Sequence, residues 1–365
     1  MKILICGATG SIGMQTIDVA QRLNHEIVGI TFNKQINEGL RIVKQLSIPF
    51  FLSHHDPTIG TVKDLSELIE KTKPNLIVNA VVGTAGLNIS LHAIRHKIDL
   101  GLANKESLVI GGYWIMQMAK KAKSKIYPID SEHSALYELI QSQKVNQIQQ
   151  LMITASGGPF WNYNQDQLKA VTLKQAMNHP VWTMGPKICI DSATLVNKAF
   201  ELIEAFHLFK MKNIIAYREQ QSTIHAGILL KSNVWLFHAA YPDMKLAISL
   251  CLQRYKNKQS IIRPLPINNL NLTLEAIDLN SYPVLKIAYD VINKPETTRG
   301  VVFNLVNDLA SELFQSGAIH FYQITRLITN FYWKYQHRKI TSIENLMSLI
   351  NKIQINLQLH WKEYL

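Results

Sequence analysis

Near its start the chain carries Gly7-Ala8-Thr9-Gly10-Ser11-Ile12-Gly13, placed directly after the apolar run 3–6 and ahead of a stretch with helical spacing over 14–23. Glycines at this spacing let a backbone turn tightly off a buried strand and approach a pyrophosphate closely, while the N–H groups that open the helix supply positive potential. A second β-branched run, 27–31, follows where the next strand of a βαβ unit belongs. The string therefore predicts a dinucleotide at the first turn of such a unit, with Thr9, Gly10, Ser11 and Ile12 facing it. An NAD-binding unit would close its second strand on Asp or Glu to hold the ribose hydroxyls, but this chain reads Thr31-Phe32-Asn33-Lys34-Gln35. A lysine in that place favours the 2′-phosphate of NADPH.

Apolar runs at 76–82, 100–103 and 125–129 continue the alternation with helical segments. This predicts an α/β protein whose first domain, 1–129, is a Rossmann-like doubly wound parallel sheet. Over 130–253, strands at 151–154 and 223–230 mix with one strong helix at 193–209, the pattern of a central α+β catalytic domain. Residues 254–280 hold lysines, Pro264, Pro266 and an Asn-rich run without periodicity, and read as a linker crossing the surface. From 281 to 365 the spacing is helical, which predicts a C-terminal helical bundle. A length of 365 residues, 47% of them apolar, is enough for two or three such cores.

Charge and cysteine usage narrow the function classes. A formal charge of +12 suits nucleic acid, an anionic membrane or a phosphorylated small molecule. The lysines are spread through the chain, with no arginine-rich arm or cation stripe interleaved with aromatics, so no nucleic-acid partner is expected. Charges or amides interrupt every hydrophobic run, and no membrane span is expected. Cys6, Cys189 and Cys251 are far apart in sequence, and no leader precedes the first strand. Both features point to a reducing cytoplasm.

Pro128-Ile129-Asp130-Ser131-Glu132-His133 stands at the end of an expected strand, and in extended backbone Asp130 and Glu132 project to one side. Two such carboxylates call for a cation. Oxygen ligands without cysteine favour Mg²⁺ or Mn²⁺ over zinc, and a hard ion needs a third protein oxygen. Glu201 is the candidate, on a helix whose apolar face reads Leu195, Ala199, Leu202 and Phe206, with Asn197 and Lys198 beside it on the other face. A solvated Lys-Glu pair is the alternative. Ser156 sits in Thr154-Ala155-Ser156-Gly157-Gly158, a strand end with paired glycines that suits an anion. Ser192, ahead of the Asn197/Lys198 helix, is either its N-cap or part of a phosphate site at its N-terminus. His179 opens His179-Pro180-Val181-Trp182-Thr183-Met184-Gly185-Pro186, where Trp182 and Met184 are either core residues or a lid that excludes water.

Taken together, Gly7 to Gly13, Leu102-Ala103-Asn104-Lys105-Glu106-Ser107-Leu108-Val109, Ile129 to Ala135, Ser156-Gly157-Gly158-Pro159-Phe160, and Asp191-Ser192-Ala193-Thr194 with Asn197-Lys198 resemble, in order, the motifs of the 1-deoxy-D-xylulose 5-phosphate reductoisomerase family. The resemblance is strong over the first 210 or so residues and looser to the C-terminus. It implies a metal held by Asp130, Glu132 and Glu201, and a substrate phosphate received by Ser156, Ser192, Asn197, Lys198 and His179. Lys105 and Ser131 would contact the substrate's carbon chain, which places Lys105, Asp130, Glu132, His179 and Glu201 at the chemistry. NADPH would be held by Thr9, Gly10, Ser11, Ile12, Lys34, Gln35, Asn104, Lys105, Glu106 and Gly185, under a lid bearing Trp182 and Met184. His133 and Glu106 lie in the same motifs and could support these groups from behind. The implied reaction is rearrangement of a small phosphorylated sugar to an aldehyde, followed by its reduction to 2-C-methyl-D-erythritol 4-phosphate, in a homodimer.

The chain also departs from that family. It has Glu219-Gln220-Gln221-Ser222 for His-Pro-Gln-Ser, Pro186 for Arg, and Asn304-Leu305-Val306-Asn307-Asp308 for Asn-Ala-Ala-Asn-Glu. A carboxylate at 219 close to the substrate would repel its phosphate. Two other readings therefore stand beside the first: an NADPH-dependent reductase of another phosphorylated aldehyde, and a cofactor-binding protein without turnover.

Overall fold

Six short runs rich in Ile, Leu and Val form one all-parallel sheet: β1 (Lys2–Cys6), β2 (Glu26–Phe32), β3 (Phe51–Ser53), β4 (Leu76–Asn79), β5 (Asp99–Leu102) and β6 (Ile126–Pro128), in the order β3-β2-β1-β4-β5-β6. Helices cover the crossovers, so strand residues on both faces are shielded and the strands read as continuous apolar runs. Ile3, Leu4, Ile5 and Cys6 of β1 are all fully buried. The computed structural model describes the chain apart from residues 179–181, 183–184, 257–258 and 269 and the side chain of Gln165.

By packing, the chain divides into two compact units. One comprises Met1–Ser107, Ile115–Glu138 and Asp243–Pro264, and the other Leu108–Trp114, Leu139–Pro242 and Leu265–Leu365. The segments 1–129, 130–253, 254–280 and 281–365 expected from the pattern of strands and helices are a division along the sequence, whereas each of these units draws on separate stretches of the chain. The first contains the parallel sheet together with the helix Met244–Leu252, whose Ile248, Leu250, Cys251 and Leu252 belong to the sheet's core. Lys245 on that helix pairs with Asp18 of the helix Ser11–Arg22 at 2.7 Å.

The second unit contains a mixed five-stranded sheet of β7 (Ile148–Ala155), β8 (Ile214–Arg218), β9 (Ile224–Leu230), β10 (Trp235–Ala239) and β11 (Glu275–Ala276), in the order β10-β9-β7-β8-β11. β7 and β8 run parallel, and the other pairs antiparallel. The helices Val284–Asn293, Arg299–Gln315, Phe321–Lys334 and Ile343–His360 make up the C-terminal helical part. Among the described residues, no helix is long and apolar enough to cross a membrane.

Several local expectations are corrected. β3 was not expected, because Phe51-Leu52-Ser53 is too short to show a period; its pairing of Phe51, Leu52 and Ser53 with Ile30, Thr31 and Phe32 makes it a strand. The helix expected at 193–209 is found as Val196–Phe209, and a separate helix that was not expected, Pro186–Ala193, precedes it. Between them Leu195 takes φ 59°, a left-handed conformation costly for a side-chain-bearing residue and tolerated here because Leu195 is buried. Ser192 therefore lies near the C-terminal end of its helix and caps no helix N-terminus. Residues 254–280 are more than a surface linker. Tyr255 is buried in the first unit, and Glu275 joins β11, where Arg218 Nη1 lies 2.9 Å from both of its carboxylate oxygens.

Candidate active site

Within the first unit, the motifs singled out from sequence gather at the carboxyl ends of neighbouring parallel strands, where open α/β sheets bind their ligands. The glycine string follows β1, Lys34 and Gln35 follow β2, Ala80 to Gly83 follow β4, Asn104 and Lys105 follow β5, and Asp130 follows β6. Gly7 has φ +83°, and a Cβ placed on Gly13 would lie 2.2 Å from the carbonyl oxygen of Gly7, so the turn closes only with glycine at these positions. The helix Ser11–Arg22 begins at Gly10 without a side-chain cap and without an acidic residue in its first turn. That arrangement leaves the helix N-terminus open to a phosphate anion. Lys34 and Gln35 are exposed just beyond β2. The turn thus fits a dinucleotide.

Asn104 and Glu106 are buried and shape the loop after β4. Asn104 caps the helix Lys105–Ala122 by accepting from the Ser107 N–H at 3.0 Å, and its amide donates to the carbonyls of Val81 and Gly83 at 2.9 Å. Glu106 accepts from the Gly83 N–H at 2.9 Å and from the Asn104 amide at 2.8 Å. These side chains organise backbone beside the cofactor turn.

At Asp130 the geometry differs from the extended backbone expected from sequence. The helix Ser131–Gln141 begins at the next residue, and Asp130 Oδ1 accepts from the N–H groups of Glu132 and His133 at 3.2 and 3.4 Å. An aspartate at a strand end caps the following helix, and the first helical turn carries Glu132 beside it. Asp130 and Glu132 come within ligand distance of one ion by this route instead of by strand alternation, with carboxylate oxygens inside 4.8 Å of each other. Lys105 Nζ lies 3.0 Å from Asp130 Oδ2, and His133 Nδ1 donates to Asp130 Oδ1 at 2.9 Å. Ser131 Oγ donates to Glu132. The Asp130/Glu132 pair offers only oxygen donors, and Cys6, Cys189 and Cys251 are all buried. A hard divalent cation fits such donors.

Within the second unit, the helix Val196–Phe209 carries Asn197, Lys198, Glu201 and Glu204. Lys198, Glu201 and Glu204 are 3%, 1% and 1% exposed, so the solvated Lys-Glu alternative is excluded. Lys198 Nζ and the Asn197 amide both donate to Glu201. Buried charge of this kind is costly unless it serves a ligand or a network. Glu204 was missed from sequence, although its place one turn beyond Glu201 in an otherwise apolar run marked it. Ser156 follows β7, and a Cβ on Gly158 would meet Ala193 Cα at 3.0 Å and the Ser192 carbonyl at 3.3 Å, so the Ser156 loop packs against the segment bearing Ser192. Gly185 caps the helix Pro186–Ala193, with Pro186 in its first turn, a position that suits proline.

Trp182 lies 6.5 Å, ring to ring, from His225, a buried histidine not singled out from sequence. Burial, aided by His238 and Lys198 and opposed by hydrogen bonds to the Tyr241 and Ala240 backbone, lowers its pKa to about 4. His179 and Met184 lie outside the described residues.

The departures at 219 and 308 have structural explanations. Glu219 is 1% exposed and accepts from the N–H groups of Gln221, Thr223 and Ile224 at 3.0, 2.5 and 3.1 Å. Its carboxylate is engaged by its own turn, which removes the motive for expecting phosphate repulsion. Asn307 donates to Asp191 at 2.9 Å, and Lys187 pairs with Asp191 and Asp308 at 2.6 and 3.3 Å. Asn307, which matches the family pattern, and Asp308, which departs from it, thus tie the helix Arg299–Gln315 to the helix that carries Ser192.

Comparison with known proteins agrees along the whole chain. A family model described as 1-deoxy-D-xylulose 5-phosphate reductoisomerase matches residues 3–65 and 52–112, a model of that enzyme's C-terminal domain matches 126–209, and a DXP reductoisomerase C-terminal domain model matches 240–355. A 1-deoxy-D-xylulose 5-phosphate reductoisomerase of Mycoplasmoides gallisepticum is 48% identical over 356 residues, 97% of each chain. One of Clostridium perfringens is 34% identical over 375 residues, again 97% of each. The solved structure of the Zymomonas mobilis reductoisomerase in complex with NADPH superposes with a TM-score of 0.85 at 28% identity, covering 99% of this chain and 98% of that one. A DOX-P reductoisomerase in complex with NADPH, fosmidomycin and magnesium gives 0.87 at 28% identity with the same coverage. With the ordered motifs, the parallel sheet and relatives matched over nearly their full length, the chain belongs to the 1-deoxy-D-xylulose 5-phosphate reductoisomerase family.

Proposed function

We propose that this chain converts 1-deoxy-D-xylulose 5-phosphate to 2-C-methyl-D-erythritol 4-phosphate, with NADPH as reductant and Mg²⁺ or Mn²⁺ as the required ion. The observation that carries this reading is the gathering of the glycine turn, Lys34, Lys105 and the Asp130/Glu132 pair at the carboxyl ends of one parallel sheet. Family membership, with relatives that carry this activity in their names, supports it.

Thr9, Gly10, Ser11 and Ile12 would bind the pyrophosphate, and Lys34 with Gln35 the 2′-phosphate. Asn104 and Glu106 would steady the backbone on the nicotinamide side, with Gly185 near the cofactor. Asp130, Glu132 and Glu201 would hold one divalent ion, supported by the oxygen-only donors found in each unit. When bound, the ion polarises the substrate's ketone and adjacent hydroxyl, and the nicotinamide supplies a hydride. Lys105 and Ser131 would orient the carbon chain, with Lys105 held at Asp130 by its 3.0 Å contact. Ser156, Ser192, Asn197, Lys198 and His179 would bind the phosphate, with Trp182 and Met184 excluding water. We propose a homodimer in the cytoplasm acting on a small phosphorylated sugar, without nucleic-acid or membrane partners.

Glu201→Gln tests the shared ion. The variant is expected to lose metal-dependent NADPH oxidation while its NADPH dissociation constant stays within about twofold of the parent, since Glu201 is assigned no cofactor contact. Parent-like turnover would remove Glu201 from the site.

A further inference from the structure

Beyond the helix Met244–Leu252 the chain adopts an unusual course. Arg254 and Tyr255, neither of them glycine, both take φ 53°, with their N–H groups bonded to the carbonyls of Cys251 and Leu250 at 2.8 Å. Two successive left-handed residues are disfavoured and persist only where the surroundings hold them. What they achieve is to turn the Tyr255 ring inward. It is 6% exposed, lies 4.0 Å from Tyr137 and 6.2 Å from Tyr127, and carries its hydroxyl to the base of the Asp130 turn. There Tyr255 Oη donates to the Pro128 carbonyl at 2.9 Å and lies 3.1 Å from Ser134 Oγ.

These partners flank the metal motif. Pro128 is the last residue of β6, and Ser134 stands in the first turn of the helix Ser131–Gln141, its N–H bonded to the Asp130 carbonyl at 2.9 Å. One buried phenol therefore fixes both ends of the segment 129–133, which contains Asp130, Ser131, Glu132 and His133. We propose that Tyr255 is a positioning residue for the divalent-ion site, holding the Asp130 and Glu132 carboxylates at their mutual spacing through the backbone on either side. The proposal rests on the metal role assigned above to those carboxylates. Carboxylate ligands hold an ion well only when their own supports are fixed, and loss of such supports costs metal affinity and rate more than it costs remote binding. Burial also drives the phenol pKa well above its ordinary value, so the hydroxyl remains a donor throughout the working pH range.

Tyr255→Phe keeps the ring and removes only the hydroxyl. In the full chain it is expected to raise the Mn²⁺ dissociation constant, read by electron paramagnetic resonance, about tenfold and to lower kcat about tenfold. The KM for NADPH is expected to stay within about twofold, because the glycine turn lies on another strand. Ser134→Ala should show the same split at smaller size, and it keeps the test open if the tyrosine variant folds poorly. Parent-like Mn²⁺ affinity and kcat in either folded variant, or a parallel loss of NADPH affinity, would overturn the proposal. Asp130→Asn separates the two levels. If it keeps parent-like Mn²⁺ affinity, the metal reading fails and takes this inference with it; if it loses Mn²⁺ while Tyr255→Phe does not, only the role of Tyr255 fails.

Discussion

Glu219 carries a charge whose effect depends on where its oxygens point. They accept from three backbone N–H groups of the turn that leads into β9. Charge-assisted bonds of this kind contribute roughly 1.5–3 kcal/mol each to a buried network, not additively. Glu219→Ala is therefore expected to lower stability by about 2–4 kcal/mol in chemical denaturation. Its KM for the phosphorylated substrate should remain within about twofold of the parent, since the carboxylate is engaged by its own turn. A sharp fall in KM with unchanged stability would instead mean that the carboxylate repels substrate. His207 is buried against the backbone of Gly112, and burial lowers its pKa to about 3. A histidine whose folded pKa lies below its unfolded value near 6.5 stabilises fully above that value and loses its contribution as pH falls towards the folded pKa. Between pH 6 and 4 the parent should lose stability more steeply than His207→Gln, by about 1.4 kcal/mol per pH unit. Equal slopes in the two proteins would show that His207 takes up no proton on unfolding.

Among the elements, the turn after β1 and the turn after β6 were legible from sequence for one reason: their candidate site residues are contiguous. Gly7 to Gly13 and Asp130 to His133 act through neighbours in the chain, so spacing alone displays them. Elements set by distant partners were not legible. β3 exists because Phe51 pairs with Ile30, the break at Leu195 is held by burial, and Tyr255 reaches back across more than a hundred positions to Pro128. The route by which Glu132 meets Asp130 was misread for a related reason, since an N-cap and an extended pair share the same local spelling. Gly13→Ala tests the glycine turn as an element. Its new Cβ would meet the Gly7 carbonyl oxygen at 2.2 Å and the Ala8 backbone at 2.7 Å, contacts that no rotamer relieves. The helix Ser11–Arg22 must shift away from β1, and NADPH affinity is expected to fall at least about tenfold, the loss that follows when a binding group is displaced by about 1 Å. Parent-like affinity by fluorescence titration would mean that the pyrophosphate lies elsewhere.

Across the whole molecule, a charge of +12 and an apolar fraction of 47% left three ligand classes open, and the motifs chose among them. In the proposed reading the parallel sheet serves a dinucleotide, the Asp130/Glu132 acids a hard cation, and the Ser156 loop with Ser192, Asn197 and Lys198 a phosphate. Two residues that depart from the family are occupied in packing: Glu219 in its turn, and Asp308 in pairing with Lys187 of a neighbouring helix. The most direct test is to incubate the purified chain with NADPH and 1-deoxy-D-xylulose 5-phosphate, with and without Mg²⁺ or Mn²⁺, and to identify the product by mass and nuclear magnetic resonance. Metal-dependent oxidation of NADPH yielding 2-C-methyl-D-erythritol 4-phosphate is the expected result. NADPH binding without turnover in either metal, or reduction without a rearranged carbon skeleton, would contradict it.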